Sequence, residues 1–249
     1  MLRAGRLLAD PISGVALAVW AAVAAFYLLP GVPAAVRERL GMTYSTLPIW
    51  PWAMAGALID LRDVRPRERR VWQWLAVSFA TLLSIEAVRA IADATGRIDR
   101  ASEWFYMAFY ATQWLAALAL ADRTRHRPLA MAAVLMAVAG GAVLHATALL
   151  WPVTYASGVP SSLVYLAFDA TAAWAWWRVG RGRSPRLASA TLMLALATLA
   201  FFVTDGLAMA SLTGWHRFIP GHATDIIWTV PPLLYALAVR LGRAPATAT

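Results

Sequence analysis

The chain has 249 residues, of which 61% are hydrophobic and 14% charged, and its formal net charge is +9. An average soluble domain carries roughly 25% charged residues, so this composition excludes an ordinary soluble protein. The sequence has no Cys, which excludes disulfides, a thiolate nucleophile and Cys-ligated metal centres.

Apolar runs separated by short breaks of Arg, Pro and Gly predict about eight helices in an all-α, polytopic transmembrane bundle. Each crossing takes about 20 apolar residues, so residues 1–249 are expected to form one transmembrane domain with no separate soluble domain. The first run is interpreted as a retained helix, because it lacks a clean small-residue cleavage site. The predicted helices span 12–29, 45–61, 71–91, 103–121, 129–149, 161–177, 187–209 and 224–240.

The basic residues are all Arg, and their uneven distribution between alternate loops predicts an orientation. Sixteen arginines lie near the loops of one side and five near those of the other, with Arg89 inside a helix. Because Arg near helix ends resists translocation, both termini are expected in the cytoplasm, in a bacterial inner membrane. The same placement favours membrane lipids as partners, and nucleic acid is not expected.

A weak internal repeat divides the chain into two four-helix halves, about 1–125 and 126–249. Helices three and four contain RRVWQWLAVSFATLLSIEAVRAI and SEWFYMAFYATQWLAALAL, and helices seven and eight contain SPRLASATLMLALATLAFFVTDGLAMA and TDIIWTVPPLLYALAV. In this comparison Glu86 matches Asp205, and Glu103 matches Asp225. Such halves are expected to be related by an axis along the membrane normal, and they indicate where a shared site lies.

Ionisable residues inside apolar helices are the main functional candidates, because a charge in hydrocarbon is costly unless it is paired or hydrated. Glu86, Arg89 and Asp205 are expected in the outer third of their helices, Asp169 near the middle of helix six and His145 in the outer half of helix five. Asp169 and Asp205 have no nearby cation in sequence. Each is therefore expected to partner Arg89, His145 or a Tyr hydroxyl, or to remain protonated.

Each of these candidates also has a purely structural explanation. Glu86 and Arg89, at positions i and i+3, can form an internal ion pair. Glu103 and Asp225 follow Ser or Thr at helix starts, where a negative charge stabilises the N-terminus. His145 alone is more typical of a helix–helix hydrogen bond than of a metal ligand, and no spacing resembles a metal site. No metal and no cofactor are expected.

Most of the 13 Trp residues fall at predicted membrane interfaces, where aromatic belts are expected. The predicted inner belt contains Trp72, Trp74, Trp174, Trp176 and Trp177, and the outer belt contains Trp50, Trp52, Trp104, Trp151, Trp215 and Trp228.

Four tyrosines, in contrast, lie inside helices beside acidic positions and are pocket candidates: Tyr106, Tyr110, Tyr165 and Tyr235. Pro231-Pro232 is expected to kink helix eight, and Gly140-Gly141 to permit close helix packing. The predicted ligand-binding residues are Glu86, Arg89, Tyr106, Tyr110, His145, Tyr165, Asp169, Asp205, Asp225 and Trp228.

The later part of the sequence resembles a known family. The stretch LVYLAFDATAAWAWWRVGRGRSPRLASATLMLALATLAFFVTDGLAMASLTG, followed by HATDIIWTVPPLLYALAV, resembles the multi-helix membrane sensor module at the N-terminus of many bacterial diguanylate cyclases and sensor kinases. This resemblance implies a non-enzymatic sensor with an outward-facing pocket for a small or amphipathic ligand. The sequence ends about nine residues after helix eight, where such proteins carry an output domain, so a signalling partner protein is expected.

A second resemblance is to the small integral-membrane terpene cyclases, seven-helix proteins of similar length that use one Glu and one Asp as general acids. When helix one is omitted, Glu86 falls on the second helix and Asp205 on the sixth, as in that family. The resemblance implies an enzyme in which both carboxyl groups protonate a prenylated substrate while aromatic faces stabilise the carbocation. The sequence leaves both alternatives open, and a transporter is less favoured because matched broken helices are not evident.

Overall fold

The computed structural model describes residues 10–38, 45–59, 61, 64–95, 102–121, 128–136, 138–140, 142, 159–212 and 222–243. Within these ranges the chain is helical and contains no strand. Eight of the helices follow the eight predicted apolar runs in order. They are α1 Pro11–Leu28, α2 Trp50–Leu58, α3 Pro66–Thr95, α4 Ser102–Leu120, α5 within 128–136 and 138–140, α6 Val159–Gly180, α7 Pro185–Leu212 and α8 Val230–Arg243.

Four segments of the described chain are long and apolar enough to cross a membrane: α1, most of α3, most of α7, and α8 together with the 3-10 helix before it. Helices α4 and α6, of 19 and 22 residues, are long enough for a crossing of about 30 Å but less apolar. These two helices carry Tyr, Gln and Asp residues of the site described below. The fold is therefore the predicted all-α helical bundle, with four segments that could span a membrane.

Helix α2 is shorter than predicted. The sequence predicts a helix over 45–61, whereas the α-helix covers nine residues, Trp50–Leu58, after turns at 45–49. At a rise of 1.5 Å per residue, nine residues extend about 14 Å, roughly half of the hydrocarbon thickness. Pro48 and Pro51 explain the late start, because proline lacks the N–H of the helix ladder and is tolerated in the first turn.

The last predicted helix, 224–240, begins as the 3-10 helix Ala223–Thr229 and becomes α-helical at Val230. Pro231 and Pro232 therefore occupy the first turn of α8, where a missing N–H breaks no helical hydrogen bond. The expected kink in the middle of the helix is instead a change of helix type just before the two prolines.

Six helices close into a ring in chain order. Helix α2 packs against α3, α3 against α4, α4 against α6, α6 against α7, α7 against α8, and α8 returns to α2. Helix α1 lies outside this ring, against α2, α8 and the 3-10 helix. Helix α5 approaches α4 and α6 closely at Gly140, where an added Cβ would lie 3.2 Å from Met107 Sδ and 3.0 Å from Phe168 Cζ. Gly141 is outside the described residues.

Aromatic side chains fill the middle of the ring. Trp50 stacks on Phe79 with 5.8 Å between ring centroids and on Phe201 with 6.2 Å, and Tyr235 packs edge-on against Phe79 at 5.4 Å. Phe109 lies 5.8 Å from Phe201. Helices α2, α3, α4, α7 and α8 thus each contribute one ring to a continuous core, and each such pair adds about 0.5–1.5 kcal/mol beyond its burial.

The tryptophans of the two predicted belts differ in burial. Trp74, Trp174 and Trp177 are exposed, as interfacial residues are expected to be. Trp72 and Trp176 are fully buried, and so is Trp50. Their assignment to belts was wrong: their indole rings pack in the core because their helix faces point into the ring.

The arginine-rich helix ends meet at one end of the bundle. Arg186 at the start of α7 pairs with Glu68 at the start of α3, with 2.6 Å between Nη2 and Oε2. Arg183, in the turn between α6 and α7, donates from Nη2 to the Leu120 carbonyl at the end of α4 at 2.6 Å. These contacts place the starts of α3 and α7 beside the ends of α4 and α6, as alternating helix directions require.

A further contact joins the two ends of the described chain at the same end of the bundle. Asp10 caps α1 by accepting a hydrogen bond from the Ser13 N–H at 2.8 Å, and Arg240 near the end of α8 donates to its carboxylate from Nε at 3.0 Å. Burial would raise the pKa of Asp10, but the hydrogen bonds from Arg240 and Ser13 outweigh it and hold the pKa below the ordinary value of 3.8.

Candidate functional site

A group of polar and aromatic side chains lies between α3, α4, α6 and α7, toward the end of the bundle opposite the arginines. Glu86 and Asp205 lie twenty residues after Pro66 and Pro185, the first residues of α3 and α7, which corresponds to about 30 Å along each helix. Because the two helices start side by side, both acids reach the same level. We call this group the carboxyl cluster; its members are Glu86, Arg89, Tyr106, Tyr110, Tyr165, Asp169 and Asp205.

Asp169 is the buried centre of the carboxyl cluster. It lies on α6 with 0% exposure, and its Oδ1 accepts a hydrogen bond from the Tyr110 hydroxyl of α4 at 2.9 Å. Its Oδ2 is also buried and receives no hydrogen bond from a hydroxyl or N–H group of the described residues. A buried carboxyl oxygen without a donor is costly, so this atom requires a proton or a ligand.

Asp205 approaches Asp169 from α7. The two carboxyl groups are within hydrogen-bonding reach of each other, and a bond between two carboxyl groups requires a proton on one of them. Arg89 of α3 interacts electrostatically with Asp205. The two carboxyl groups therefore face each other, with a guanidinium group nearby.

Glu86 extends the carboxyl cluster along α3. Its Oε1 accepts a hydrogen bond from Thr46 Oγ1 at 2.8 Å, and Arg89, one turn further on, interacts electrostatically with the same carboxyl group. Its Oε2 is buried and has no hydrogen-bond partner among the residues that the structure describes. Arg89 thus acts on both Glu86 and Asp205, and the predicted i, i+3 pair is part of a larger group.

Four aromatic rings border the carboxyl cluster on the side of α4 and α6. The Arg89 guanidinium lies 5.3 Å from the centroid of the Tyr106 ring, which packs 5.3 Å from the Tyr165 ring. Tyr165 stacks on Tyr110 at 6.1 Å, and Tyr110 stacks on Phe168 at 4.8 Å. We call these four rings the aromatic wall. The wall meets the carboxyl groups at the Tyr110 hydroxyl, which is bonded to Asp169.

Exposure increases across the carboxyl cluster in one direction. Asp169 and Tyr110 are buried, at 0% and 3%, whereas Arg89, Tyr106 and Tyr165 are half-buried. Helices α4 and α6 run toward the arginine-rich end, and Tyr106 and Tyr165 come one turn before Tyr110 and Asp169. Helix α3 runs away from that end, and Arg89 lies one turn after Glu86. These three half-buried residues therefore lie about one turn further from the arginine-rich end. The cluster is therefore closed toward the arginines and more accessible toward the opposite end.

A hydrogen-bonded group lies between the carboxyl cluster and the arginine-rich end. Gln113, one turn after Tyr110, donates from Nε2 to Ser78 Oγ at 3.0 Å and accepts from Trp176 Nε1 at 2.9 Å. Gln113, Ser78 and Trp176 are all fully buried and join α3, α4 and α6. Sequence reasoning missed Gln113 and Ser78, although an amide inside an apolar helix is a signal of the same kind as a carboxylate.

Several predicted site residues lie elsewhere. Asp225 is buried at 3% exposure in the 3-10 helix and interacts electrostatically with Tyr27 of α1, while Trp228 is half-buried on the same 3-10 helix. Tyr235 belongs to the aromatic core, where its hydroxyl shares a hydrogen bond with Thr198 at 2.9 Å.

His145 lies outside the described residues, and of Glu103 the structure describes only its position in the first turn of α4.

No protein-family model, curated protein or solved structure matches this chain. Within the described ranges, no three His, Asp or Glu side chains gather in a way that could hold a metal ion. The chemistry of the carboxyl cluster is therefore the basis for assigning a function.

Proposed function

We propose that the chain is a membrane-embedded sensor or ligand-binding module whose site is the carboxyl cluster. The observation that carries this proposal is a pair of buried carboxyl oxygens, Glu86 Oε2 and Asp169 Oδ2, that lack an ordinary hydrogen-bond donor among the described residues. Buried polar atoms in proteins are nearly always satisfied, and ionisable groups within a membrane are usually functional. A ligand with a complementary polar group supplies the missing partner of these two oxygens.

Binding at this site acts on four helices at once. Glu86 lies on α3, Tyr110 on α4, Asp169 on α6 and Asp205 on α7, so a ligand that draws these groups together changes how the four helices pack. A ligand that contacts two packings differently shifts the population between them. Because α3 and α7 continue to the arginine-rich end, such a shift can reach a signalling partner protein on that side.

We assign the module to a bacterial inner membrane, with several crossings and with both termini in the cytoplasm. The gathering of Arg183, Arg186 and Arg240 at one end of the bundle supports this orientation, because arginine-rich ends resist translocation. The carboxyl cluster then faces the outer side, and a small amphipathic or prenylated ligand enters from there or from the outer leaflet.

Thermal unfolding of the purified protein in lipid nanodiscs, against a panel of lipids and metabolites, tests the proposal. We expect at least one compound to raise the unfolding temperature of the wild type, since a ligand that binds the folded state stabilises it. Glu86→Gln is expected to remove this effect. Glu68→Gln is the matched control, because it makes the same change on the same helix at the arginine-rich end.

Two results would contradict the proposed function. One is that no compound in the panel changes the unfolding temperature of the wild type. The other is that every stabilising compound acts equally on the wild type, Glu86→Gln and Asp169→Asn, since binding would then occur outside the carboxyl cluster.

An integral-membrane terpene cyclase is the alternative, and the position of the Asp169–Asp205 pair beside the aromatic wall favours it. A protonated carboxyl group in a dry site can act as a general acid toward a prenyl epoxide or alkene, while aromatic faces stabilise the carbocation. Glu86 and Asp205 are then the acids, as the resemblance implies. Asp205→Asn is expected to abolish turnover of a prenylated substrate without loss of folding; unchanged turnover excludes this acid.

A further inference from the structure

We infer that the ligand of the carboxyl cluster is an organic cation: an amine or quaternary ammonium group attached to an apolar body. This inference rests on the proposed ligand-binding function and deepens it by naming the class of ligand. Three features of the cluster support it: the charge balance, the position of the unsatisfied oxygens, and the aromatic wall.

The charge balance leaves the carboxyl cluster negative. Its described members include three carboxyl groups, those of Glu86, Asp169 and Asp205, and one guanidinium group, that of Arg89. When one proton is shared between Asp169 and Asp205, the described members of the cluster comprise two ionised carboxylates and one guanidinium, and among these residues one negative charge is uncompensated. A ligand with a positive charge compensates it, whereas an anionic ligand would be repelled in a site of low dielectric constant.

The two unsatisfied oxygens mark where such a charge belongs. Asp169 has no exposed surface, and its Oδ2 atom is buried without a hydroxyl or N–H donor among the described residues; the same holds for the buried Oε2 atom of Glu86. The guanidinium of Arg89 lies over the Tyr106 ring and leaves both atoms without a hydrogen bond. A cation beside either oxygen supplies the positive charge that its carboxyl group lacks, and the proton between Asp169 and Asp205 remains in place.

The aromatic wall suits the same class of ligand. The faces of aromatic rings carry negative potential and attract cations, including quaternary ammonium groups that cannot donate hydrogen bonds. Tyr106 already has the guanidinium of Arg89 over its ring at 5.3 Å, and Tyr165 and Tyr110 follow it along the wall toward Asp169. The half-buried rings of Tyr106 and Tyr165 can cover an apolar body while the charged group reaches inward.

Calorimetric titration of the protein in nanodiscs with three probes of similar size tests the inference: benzyltrimethylammonium, benzyl alcohol and phenylacetate. We expect the cationic probe to bind at least tenfold more tightly than the neutral one, and the anionic probe not to bind. Asp169→Asn is expected to weaken the cation at least tenfold and to leave the neutral probe unchanged. Glu86→Gln provides a second variant if Asp169→Asn does not fold, and Glu68→Gln is the control that should bind as the wild type does.

The outcomes separate this inference from the proposed function. If the neutral or anionic probe binds as tightly as the cation and this binding depends on Asp169 or Glu86, the ligand class is wrong but the site stands. If the cation binds equally to the wild type and to both cluster variants, the inference is overturned. If neither these probes nor any compound of the panel binds in a way that depends on the cluster, both proposals fail.

Discussion

The Tyr110 hydroxyl shows how a single atom determines the state of the site. Its hydrogen bond satisfies Asp169 Oδ1. Of the two oxygens of this carboxyl group, Oδ2 alone therefore remains for a proton or a ligand. The Tyr110 ring is held independently of the hydroxyl, because it stacks on Phe168 and Tyr165. One substitution can therefore separate the hydrogen bond of the hydroxyl from the packing of the ring.

Tyr110→Phe keeps the ring contacts and removes the donor to a buried carboxyl group. A buried acceptor left without its donor costs about 1–3 kcal/mol, and interhelical hydrogen bonds in membranes average about 0.6 kcal/mol, so we expect a loss of about 1–2 kcal/mol. Denaturant unfolding in mixed micelles measures it. Tyr235→Phe, which removes a bond to the neutral Thr198 hydroxyl, should cost less; an equal or greater loss there would contradict the special role of Asp169.

At the scale of helical elements, α6 and α7 approach each other closely beside the turn that joins them. Gly180 ends α6, and Gly182 in the turn has a φ of 75°, a conformation that favours glycine. A Cβ added at Gly180 would meet the side chain of Thr191 on α7, with only 2.9 Å to Thr191 Cβ. The packing of α6 against α7, and with it the meeting of Asp169 with Asp205, depends on this glycine.

Gly180→Ala should therefore separate α6 from α7. Overpacking of this kind costs about 1–3 kcal/mol, which outweighs the helix propensity gained by alanine, about 1 kcal/mol. The unfolding temperature of the purified variant measures the loss. Gly31→Ala is the control, because nothing lies within 4 Å of a Cβ added there; if both variants unfold at the wild-type temperature, the close approach is not a determinant of stability.

Hydropathy determines where the long helices lie in the sequence, but not how each helix is rotated. The positions of α1, α3 and α7 follow from their apolar runs, and the common level of Glu86 and Asp205 follows from equal spacing after a proline. The rotation of each helix does not follow, because helices that are apolar on most faces have no distinct polar side to orient them. This is why the pairing of Thr46 with Glu86, and the burial of Trp176, could not be predicted.

On the scale of the whole molecule, the arginine-rich end and the carboxyl cluster lie at opposite ends of one bundle. Helix starts and ends alternate between the two, as the contacts of Arg186 with Glu68 and of Arg183 with Leu120 require. The orientation proposed for the membrane can be tested directly, because the chain has no native Cys and each introduced thiol is the only one.

Single-cysteine labelling of intact cells with a membrane-impermeant thiol reagent tests the orientation. Gly31→Cys, beyond the end of α1 that is remote from the arginine-rich end of the bundle, is expected to react from outside. Ser184→Cys, exposed in the turn between α6 and α7, is expected to react only after the cells are opened. The reverse pattern, or reaction of both sites in intact cells, would contradict the assignment of both termini to the cytoplasm.

The pairing of Asp10 with Arg240 predicts a pH dependence for the whole fold. Because the pKa of Asp10 is lower in the folded state than its ordinary value of 3.8, the pair contributes its stability above pH 3.8 and loses it as the pH falls through the folded pKa. Unfolding temperatures measured from pH 6 to pH 2.5 should fall less steeply in Asp10→Asn than in the wild type. Parallel curves would show that this pair does not contribute.

The ring of helices has a consequence for biogenesis, because α8 completes it by packing against α2. A nascent chain that enters the bilayer one hairpin at a time carries Glu86 on an early segment and Asp169 and Asp205 on later ones, and the ring of helices around the aromatic core closes only after the final segment arrives. Until then, the faces of α2 and α7 that pack against α8 lack their partner. Premature termination within α8 should therefore yield a protein that quality-control proteases remove.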